Sequence, residues 1–324
     1  MTAFPAPAAR SPDEAALLAA VLADLPSDLP KLVYADWLDD RGDPRGDYLR
    51  RFVHAWRAGD DLPEPPDGPQ SWLALTGCEL LIGLRRHDLS HLTDILLKLA
   101  RPCLQMTAER ADGPLPVGAS KFGGDPDLPA GAEWPADGNG PLPFLGQFNL
   151  ADLAASPAAR ELPPAGLLSV FYDGDGWDDA GGHWRVVHTP GGVPLTRRPT
   201  PDAAAREYLG ITPECRLSFG ERLDVPDRDS PFGEIDLQEE GYGPRHEGYY
   251  ELTHGGCHHL LGYPRLIQSD VLGAADVRHL LSLDSDDVPG WTWGDVGTLY
   301  FTIPARELAA GRLASGVRFE MQCT

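Results

Sequence analysis

The sequence predicts an α+β protein in which a small N-terminal helical module precedes a β-rich, pseudo-duplicated domain. Three observations lead to this fold class. Apolar residues recur at helical spacing before residue 100, and short apolar runs separated by Gly and Pro follow it. In the β-rich part, one pattern of turns and strands occurs twice. The 324 residues are enough for two domains that each bury a core.

Residues 1–59 are predicted to form the helical module, because helix start and stop signals punctuate them. Ser11 to Glu14 is a capping box with proline at the first helical position. A second helix ends at Gly42, Asp43 and Pro44 begin a third, and Gly59 ends it. The module is therefore expected to contain three short helices.

Residues 60–91 are predicted to be a proline-rich, acidic linker followed by a helix. That helix begins at Ser71 and continues through Leu84, and a further helix begins at Ser90. The β-rich domain is assigned to residues 92–324. The sequence leaves open whether the helices of the linker region pack on the module or on the β-rich domain.

The duplicated segments lie at about 119–172 and 256–303. Each has a Gly-x-Pro turn, a strand that ends in a small polar or acidic residue, and a strand that starts at Gly and ends in Phe. We predict that the segments superpose, with Gly124 on Gly262 and Phe171 on Phe301 or a neighbour. Related halves of this kind would enclose a cleft.

Five apolar runs in the β-rich domain are predicted strands: Leu167–Tyr172, Trp184–His188, Leu217–Gly220, Leu299–Ile303 and Val317–Met321. An acidic stretch separates the two copies, from about residue 173 to 250. It is expected to hold loops and a short helix near Ala203–Leu209.

Charge and cysteine usage limit the choice of partner and compartment. The formal net charge of −22 repels nucleic-acid phosphates and anionic lipid, so we expect no nucleic acid and no membrane as partners. The charge either attracts a basic partner or serves solubility alone. Five scattered cysteines without a Cys-x-x-Cys motif indicate reduced thiols. The first ten residues lack the apolar core of a signal peptide, and we therefore predict a cytoplasmic location.

The helical module carries a specific motif. Residues Leu32 to Asp47 read Leu-Val-Tyr-Ala-Asp-Trp-Leu-Asp-Asp-Arg-Gly-Asp-Pro-Arg-Gly-Asp. On this motif, residues 14–52 resemble the repeat-companion domain, a helical module that occurs beside leucine-rich repeats in many bacterial proteins. Nothing catalytic is associated with that family, so the resemblance implies an adaptor or interaction role.

A second resemblance covers most of the β-rich domain. Its motifs are Ala100-Arg101-Pro102, Ser120–Gly124, Phe144–Asn149, His258–Pro264, Asp284–Asp286 and Trp293–Phe301. On these motifs, residues from about 92 to 323 resemble the YwqG-like family, a domain of unknown function. The resemblance implies an α+β domain with antiparallel sheets and brings no established reaction. The family has Gly-Gly before its Tyr-Pro turn, whereas Leu261 occupies the first of these positions here.

Polar and aromatic residues of these motifs, together with Gln268, on which the same resemblance rests, are the candidate ligand or partner site: Gln147, Asn149, His258, Gln268, Asp284, Trp293 and Asp295. Neighbouring carboxylates beside tryptophans can bind a cation, act as acid and base, or contact a sugar or peptide. Alternatively, the aspartates cap turns and the tryptophans fill the core. For Asp295 the sequence leaves both roles open, and Gly294 before it is expected to adopt a conformation closed to other residues.

Two segments contain residues that bind metals elsewhere. His254, Cys257, His258 and His259 are weak zinc candidates, because adjacent strand residues point to opposite faces. The run Asp173 to Asp179 resembles a loose calcium loop, although a solvated acidic turn fits it better. We therefore predict no bound metal and no cofactor.

The sequence lacks the common catalytic motifs for hydrolases, phosphate binding and dinucleotide binding. We therefore expect a non-catalytic protein that recognises a protein or peptide partner, with an immunity-like or regulatory role. The alternative is an enzyme or a metal-dependent binder of small ligands in the cleft between repeats. Convergence of His258, Asp284, Trp293 and Asp295 in one pocket would favour the alternative, and their dispersal would favour partner binding.

Overall fold

The computed structural model describes residues 10–67, 71–201, 212–228, 230, 235–238, 241–253 and 258–324. Within them, helices occupy the N-terminal part and a large antiparallel sheet forms the rest, so the predicted α+β class is confirmed. The predicted helix near Ala203–Leu209 and the zinc candidate Cys257 lie outside the described residues.

The helices of the described residues are α1 (Pro12–Ala23), α2 (Leu29–Asp39), α3 (Pro44–Ala58), α4 (Ser71–Leu75), α5 (Cys78–Arg86), α6 (Thr93–Leu99), α7 (Leu150–Leu153), α8 (Pro244–Thr253) and α9 (Ala305–Ala309). The predicted N-caps at Ser11 and Asp43 are present, but the Glu14 carboxylate accepts from Tyr34 and Arg45 and does not complete the predicted capping box. The Ser11 side chain accepts the N–H of Glu14, and the Asp43 side chain accepts the N–H of Arg45.

One predicted helix is divided in two. The sequence suggested a continuous helix from Ser71 through Leu84, but α4 ends at Leu75 and α5 begins at Cys78. Gly77 lies between them with a φ of 76°, a left-handed conformation that breaks the helical hydrogen-bond ladder. α4 packs on both α1 and the sheet, so this region belongs to both layers.

The strands are β1 (Arg101–Arg110), β2 (Lys121–Phe122), β3 (Asp127–Pro129), β4 (Ala136–Asp137), β5 (Gly140–Pro141), β6 (Phe144–Asn149), β7 (Gly166–Tyr172), β8 (Trp184–Pro190), β9 (Leu195–Arg197), β10 (Cys215–Asp224), β11 (His258–Leu261), β12 (Val277–Asp284), β13 (Thr298–Pro304) and β14 (Arg318–Gln322). They include four of the five predicted runs in full, and β14 begins one residue after the start of the fifth, at Arg318. The long strand β1 was not predicted.

Ten of these strands form one sheet in the order β14-β13-β12-β11-β1-β10-β2-β6-β7-β8. The central pair is β1 and β10, which lie antiparallel from Arg101 opposite Asp224 to Arg110 opposite Cys215. On one side of this pair, β2, β6, β7 and β8 follow in chain order, and on the other side β11 to β14 do so. The predicted repeats thus supply matching strands to the two halves of the sheet.

The pairing registers also correspond between the halves. Lys121 lies opposite Gln147 in the first half, and His259 lies opposite Ser282 in the second. A register irregularity follows in each half, between Phe144 and Gly146 in β6 and between His279 and Leu281 in β12.

On the next strand of each half, Gln147 of β6 pairs with Ser169 of β7, and Ser282 of β12 pairs with Tyr300 of β13. Val170, one residue before Phe171, therefore corresponds to Phe301.

The helices and the sheet share one contiguous hydrophobic core, which includes Leu18 of α1, Phe52 of α3 and Leu104 of β1. A buried ion pair joins the layers, since Arg10 bonds to Glu221 of β10. None of the helices in the described part of the chain is long and apolar enough to cross a bilayer.

The residues between β7 and β8, here called the closing loop (173–183), contact the far edge of the sheet. The N–H of Met321 donates to the Trp177 carbonyl over 2.9 Å, and the N–H of Phe319 donates to the Asp179 carboxylate over 2.6 Å. The rings of Tyr172 and Phe319 pack with centroids 5.1 Å apart. These contacts bring the two ends of the sheet together in a near-barrel.

Candidate functional site

A cavity of about 750 Å³ lies over the central strands, on the side of the second half of the sheet. Its floor is formed by β1, β10 and the start of β11. Its wall is formed by the connection between β12 and β13, here called the second connection (285–297). Its lining residues include Glu109, Arg216, His258, Asp286, Asp287, Trp291 and Val296.

His258, at the start of β11, lies where the floor meets the wall and is 1% exposed. Its Nδ1 accepts the backbone N–H of Asp284 over 3.0 Å, so the ring proton is on Nε2. Nε2 donates to the Asp286 carboxylate over 3.0 Å. Both ring nitrogens are therefore engaged by the protein.

Asp286 is fixed from two directions. One carboxylate oxygen accepts from His258, and the other accepts the N–H of Val288 over 2.8 Å. The hydrogen bond from His258 lowers the pKa of Asp286, because it stabilises the charged carboxylate. Asp286 is therefore a permanent negative charge at the cavity wall at neutral pH.

The second connection is held against the sheet by backbone contacts. Arg110 of β1 donates to the carbonyl of Val288 over 2.9 Å and to that of Asp287 over 3.3 Å. The Ser285 hydroxyl donates to the Gly297 carbonyl and accepts the N–H of Trp293. These bonds fix the loop that carries the wall residues.

Aromatic rings form the base of the wall. Phe122 packs against Trp291 with centroids 4.6 Å apart and against His258 at 4.9 Å. Trp291 is 1% exposed, and its buried Nε1–H has no hydrogen-bond partner in the part of the chain that the structure describes. An unpaired buried donor is costly, and such groups in native proteins often mark functional positions.

The rim of the cavity carries mixed charge. Glu109 and Asp287 are exposed carboxylates, and Arg216 is exposed directly opposite Glu109 in the central strand pair. Val296 is 64% exposed and has a φ of 55°. A β-branched residue in the left-handed region is strained, and strain of this kind concentrates at functional sites.

Two further predicted residues lie behind the cavity wall. Asp284 presents its backbone N–H to His258, while its carboxylate accepts the Thr298 hydroxyl over 2.8 Å. Burial raises the pKa of Asp284. Trp293 is buried between Trp291 and Tyr172, with centroids 5.4 and 5.7 Å away.

Asp295 lies on the surface beside Val296. Its carboxylate is exposed and accepts no hydrogen bond from the described residues, so the turn-cap role considered for it is wrong. Ser285 holds this turn instead. Gly294 has a φ of 52°, which confirms the predicted left-handed conformation before Asp295.

The remaining predicted residues do not line the cavity. Gln268 donates to the Cys323 carbonyl and holds the C-terminal strand. Gln147 bonds to Asp127 inside the first half, and Asn149 caps α7 by accepting the N–H of Ala151. These three side chains are engaged in local structure.

The structure thus brings His258 and Asp284 together and leaves the other candidates apart. Sequence reasoning missed Glu109 and Arg216, which meet only because β1 and β10 pair over a separation of more than one hundred residues. Asp286 belongs to the motif Asp284–Asp286, which was identified from the sequence. Val296 carried no local signal except its place after Gly294 and Asp295.

Comparison with known proteins gives the family. A family profile described as Domain of unknown function (DUF1963) matches residues 120–323. The chain belongs to this family. The matched residues include the second connection and strands β2 to β14, but not α1 to α6 or β1. No curated protein matches the chain.

Proposed function

We propose that the protein is a non-catalytic binding protein that accepts a basic segment of a peptide or protein partner in the cavity. The observation that carries the proposal is the state of His258, whose two ring nitrogens are both bonded to the protein. A general base needs a free nitrogen that faces the substrate. In this proposal the His258–Asp286 pair has a structural role: it fixes the shape and the negative charge of the recognition surface.

The lining suits a peptide with a cationic side chain. Glu109, Asp286 and Asp287 place three carboxylates around the cavity against one guanidinium, that of Arg216. A lysine or arginine of the partner would pair with the carboxylates. Arg216 would then bind a backbone carbonyl of the same segment, and Val296 and Trp291 would contact its apolar part.

The alternative is binding of a small ligand, with or without chemistry. A volume of about 750 Å³ lies in the range of small-molecule pockets. Of the four residues whose convergence would favour this alternative, however, only His258 lines the cavity. Asp284 and Trp293 lie behind the wall, and Asp295 is on the surface, which supports partner binding instead.

The helical module is proposed to act as an adaptor, as its resemblance to the repeat-companion domain suggests. We also propose that residues from about 92 to 323 form a YwqG-like domain and that the protein is cytoplasmic. The net charge of −22 supports a basic partner over nucleic acid or membrane.

Binding of defined peptides tests the proposal. Fluorescence anisotropy is measured with three labelled peptides of equal length and apolar content, one basic, one neutral and one acidic. We expect the basic peptide to bind most tightly. The double variant Glu109→Gln, Asp287→Asn should weaken it at least tenfold, because both rim carboxylates become neutral.

Asp13→Asn with Asp175→Asn is the matched control, since it removes two exposed carboxylates far along the chain from the cavity residues. It should change binding less than twofold. Equal binding of the three peptides, or equal weakening by both double variants, would contradict recognition at the cavity.

A further inference from the structure

A second group of ionisable side chains lies outside the cavity, at the two ends of the closing loop. One ligand atom from each of Asp137, Asp173 and His183 lies within 4.8 Å of the other two. The residues come from three segments, namely β4, the residue after β7 and the residue before β8. We propose that these side chains bind a divalent transition-metal ion of the zinc class.

The geometry holds two of the ligands in place. Asp173 is 5% exposed, and its Oδ1 accepts the N–H groups of Asp175 and Gly176 over 2.9 and 3.1 Å. Its Oδ2 accepts a hydrogen bond from Nδ1 of His183 over 2.5 Å, and a bound metal ion would take the place of that proton, which is released to solvent. A Cβ at Gly176 would lie 2.4 Å from the His183 side chain, so the imidazole rests directly on the glycine backbone.

The ligand set selects the class of metal. Zinc binds imidazole nitrogen and carboxylate oxygen at about 2.0–2.2 Å, which places neighbouring tetrahedral ligands about 3.3 Å apart. The contact between Asp173 and His183 would lengthen by under about 1 Å to admit the ion. Calcium prefers six to eight oxygen ligands, so the imidazole disfavours the calcium loop considered from the sequence. Three protein ligands leave a position for water.

A metal at this position would strengthen the contact between the two ends of the sheet. The closing loop bonds to β14 through the Trp177 carbonyl and the Asp179 carboxylate. The ion would join both ends of this loop to the β4–β5 hairpin. Because an ion that binds only the folded state stabilises it, the melting temperature should rise with metal concentration.

Calorimetric titration of the full, metal-free chain with zinc chloride tests the site. We expect about one zinc per chain at this site, weaker binding of calcium and a zinc-dependent rise in melting temperature. Asp137→Asn should weaken zinc binding at least tenfold and leave the bonds within the Asp173 turn intact. Asp175→Asn is the matched control, since it removes an exposed charge from the same loop. It should bind as the parent does.

A second variant, His183→Gln, removes the imidazole ligand and tests the site independently in case Asp137→Asn does not fold. Absorption of bound Co²⁺ should lose its nitrogen-ligand signature in this variant. Zinc binding that survives both ligand variants would place the ion elsewhere in the chain. Equal weakening by Asp137→Asn and Asp175→Asn would indicate general acidic attraction. Either result, like calcium binding as tight as that of zinc, overturns the proposal.

Discussion

The corresponding connections in the two halves of the sheet differ in their surroundings: one is buried and the other lines a cavity. The first connection, residues 150–165 between β6 and β7, follows Asn149, and the second connection follows Asp284. By register, Asn149 and Asp284 occupy the same place in their halves. In the first connection, Pro157–Ala159 is buried and packs on β1 and α1. The second connection lines the cavity.

The helical module explains the difference. It lies against the first connection, where Glu221 of β10 accepts hydrogen bonds from Arg10 and from Ser156. In the second connection, Asp287, Thr292 and Val296 are exposed, and Val296 is also strained. In this duplicated scaffold, one copy docks the helices of the same chain, and under the proposed function the other copy binds the partner.

The halves also differ in how they hold their Gly-x-Pro turns. Nζ of Lys121 donates to the carbonyl of Asp125, and Nε2 of His259 donates to the carbonyl of Tyr263, four residues later in both cases. Lys121 is charged and is balanced by Glu214. His259 is neutral, because burial lowers its pKa to about 3. The first half therefore relies on ion pairs and the second on a neutral imidazole.

The strongest test of this comparison breaks the docking of the helical module. Arg10→Ala leaves the carboxylate of Glu221, whose side chain is 0% exposed, without its cation. Removal of one partner of a buried pair costs about 3–5 kcal/mol of the free energy of unfolding. Urea denaturation of the parent protein and of Arg10→Ala measures this loss.

The control for Arg10→Ala is Arg50→Ala, which breaks two surface pairs, with Asp36 and Asp39, whose side chains are 70% and 37% exposed. It should cost about 1 kcal/mol or less. Equal losses in both variants would mean that the pair between Arg10 and Glu221 does not anchor the module.

The turn glycines offer the next test. Gly123 has a φ of 62°, and a Cβ there would lie 2.2 Å from the Pro213 carbonyl oxygen. Gly123→Ala should therefore cost at least about 2 kcal/mol, from backbone strain and overlap. Leu261, at the corresponding position, already has a φ of 63°.

Leu261→Ala is the matched variant for Gly123→Ala. It retains the strain and should lose only the buried area of the leucine side chain, with the associated cavity cost. If Gly123→Ala were neutral by urea denaturation, the two turns would tolerate side chains equally, and this difference between the halves would disappear.

Much of the helical layer could be predicted because its signals are local. Ser11 and Asp43 cap helices through bonds to residues two or three positions away, and such pairs are visible in any sequence. The break at Gly77 was missed, since a glycine inside a helical pattern is often tolerated.

The sheet and the site depended on pairing between distant segments. β1 reads as an apolar run after a helix, and only its pairing with β10 makes it central. His258 and Asp284 were predicted because they belong to the motifs on which the family resemblance rests. Glu109 and Arg216 could not be, because no local pattern marks residues that become neighbours across a central strand pair.

As the pH falls, the second half of the sheet should lose stability before the first half does. His259 titrates at about 6.5 when unfolded and about 3 when folded, so the unfolded state binds more protons between these values. Stability is full above pH 6.5 and falls as the pH drops towards 3. At pH 5 the loss is roughly 2 kcal/mol from this group. His279, whose pKa burial and His259 also lower, acts in the same direction.

The carboxylate of Asp127 in the first half behaves differently. Burial raises its pKa, but the hydrogen bonds from Arg197, Gly118 and Gln147 together outweigh burial and lower the pKa, so its contribution to stability is lost only below the ordinary Asp pKa near 3.8. Amide hydrogen exchange at pH 7 and pH 5, corrected for intrinsic rates, should show reduced protection in β11 and β12 before β2 and β6. Simultaneous loss in both halves would contradict the comparison.

The smallest expected effect concerns the strain in the second connection. Val296 is exposed and has a φ of 55°, which glycine adopts without penalty. Val296→Gly should raise the free energy of unfolding by up to about 1 kcal/mol, or the melting temperature by about 2 °C. Val193→Gly, at an exposed residue without such strain, should not stabilise the protein. If strain at Val296 serves recognition, Val296→Gly should also weaken the basic peptide several-fold while it stabilises the fold. Stabilisation with unchanged peptide binding would remove Val296 from the recognition surface, and destabilisation would show that the loop does not store strain.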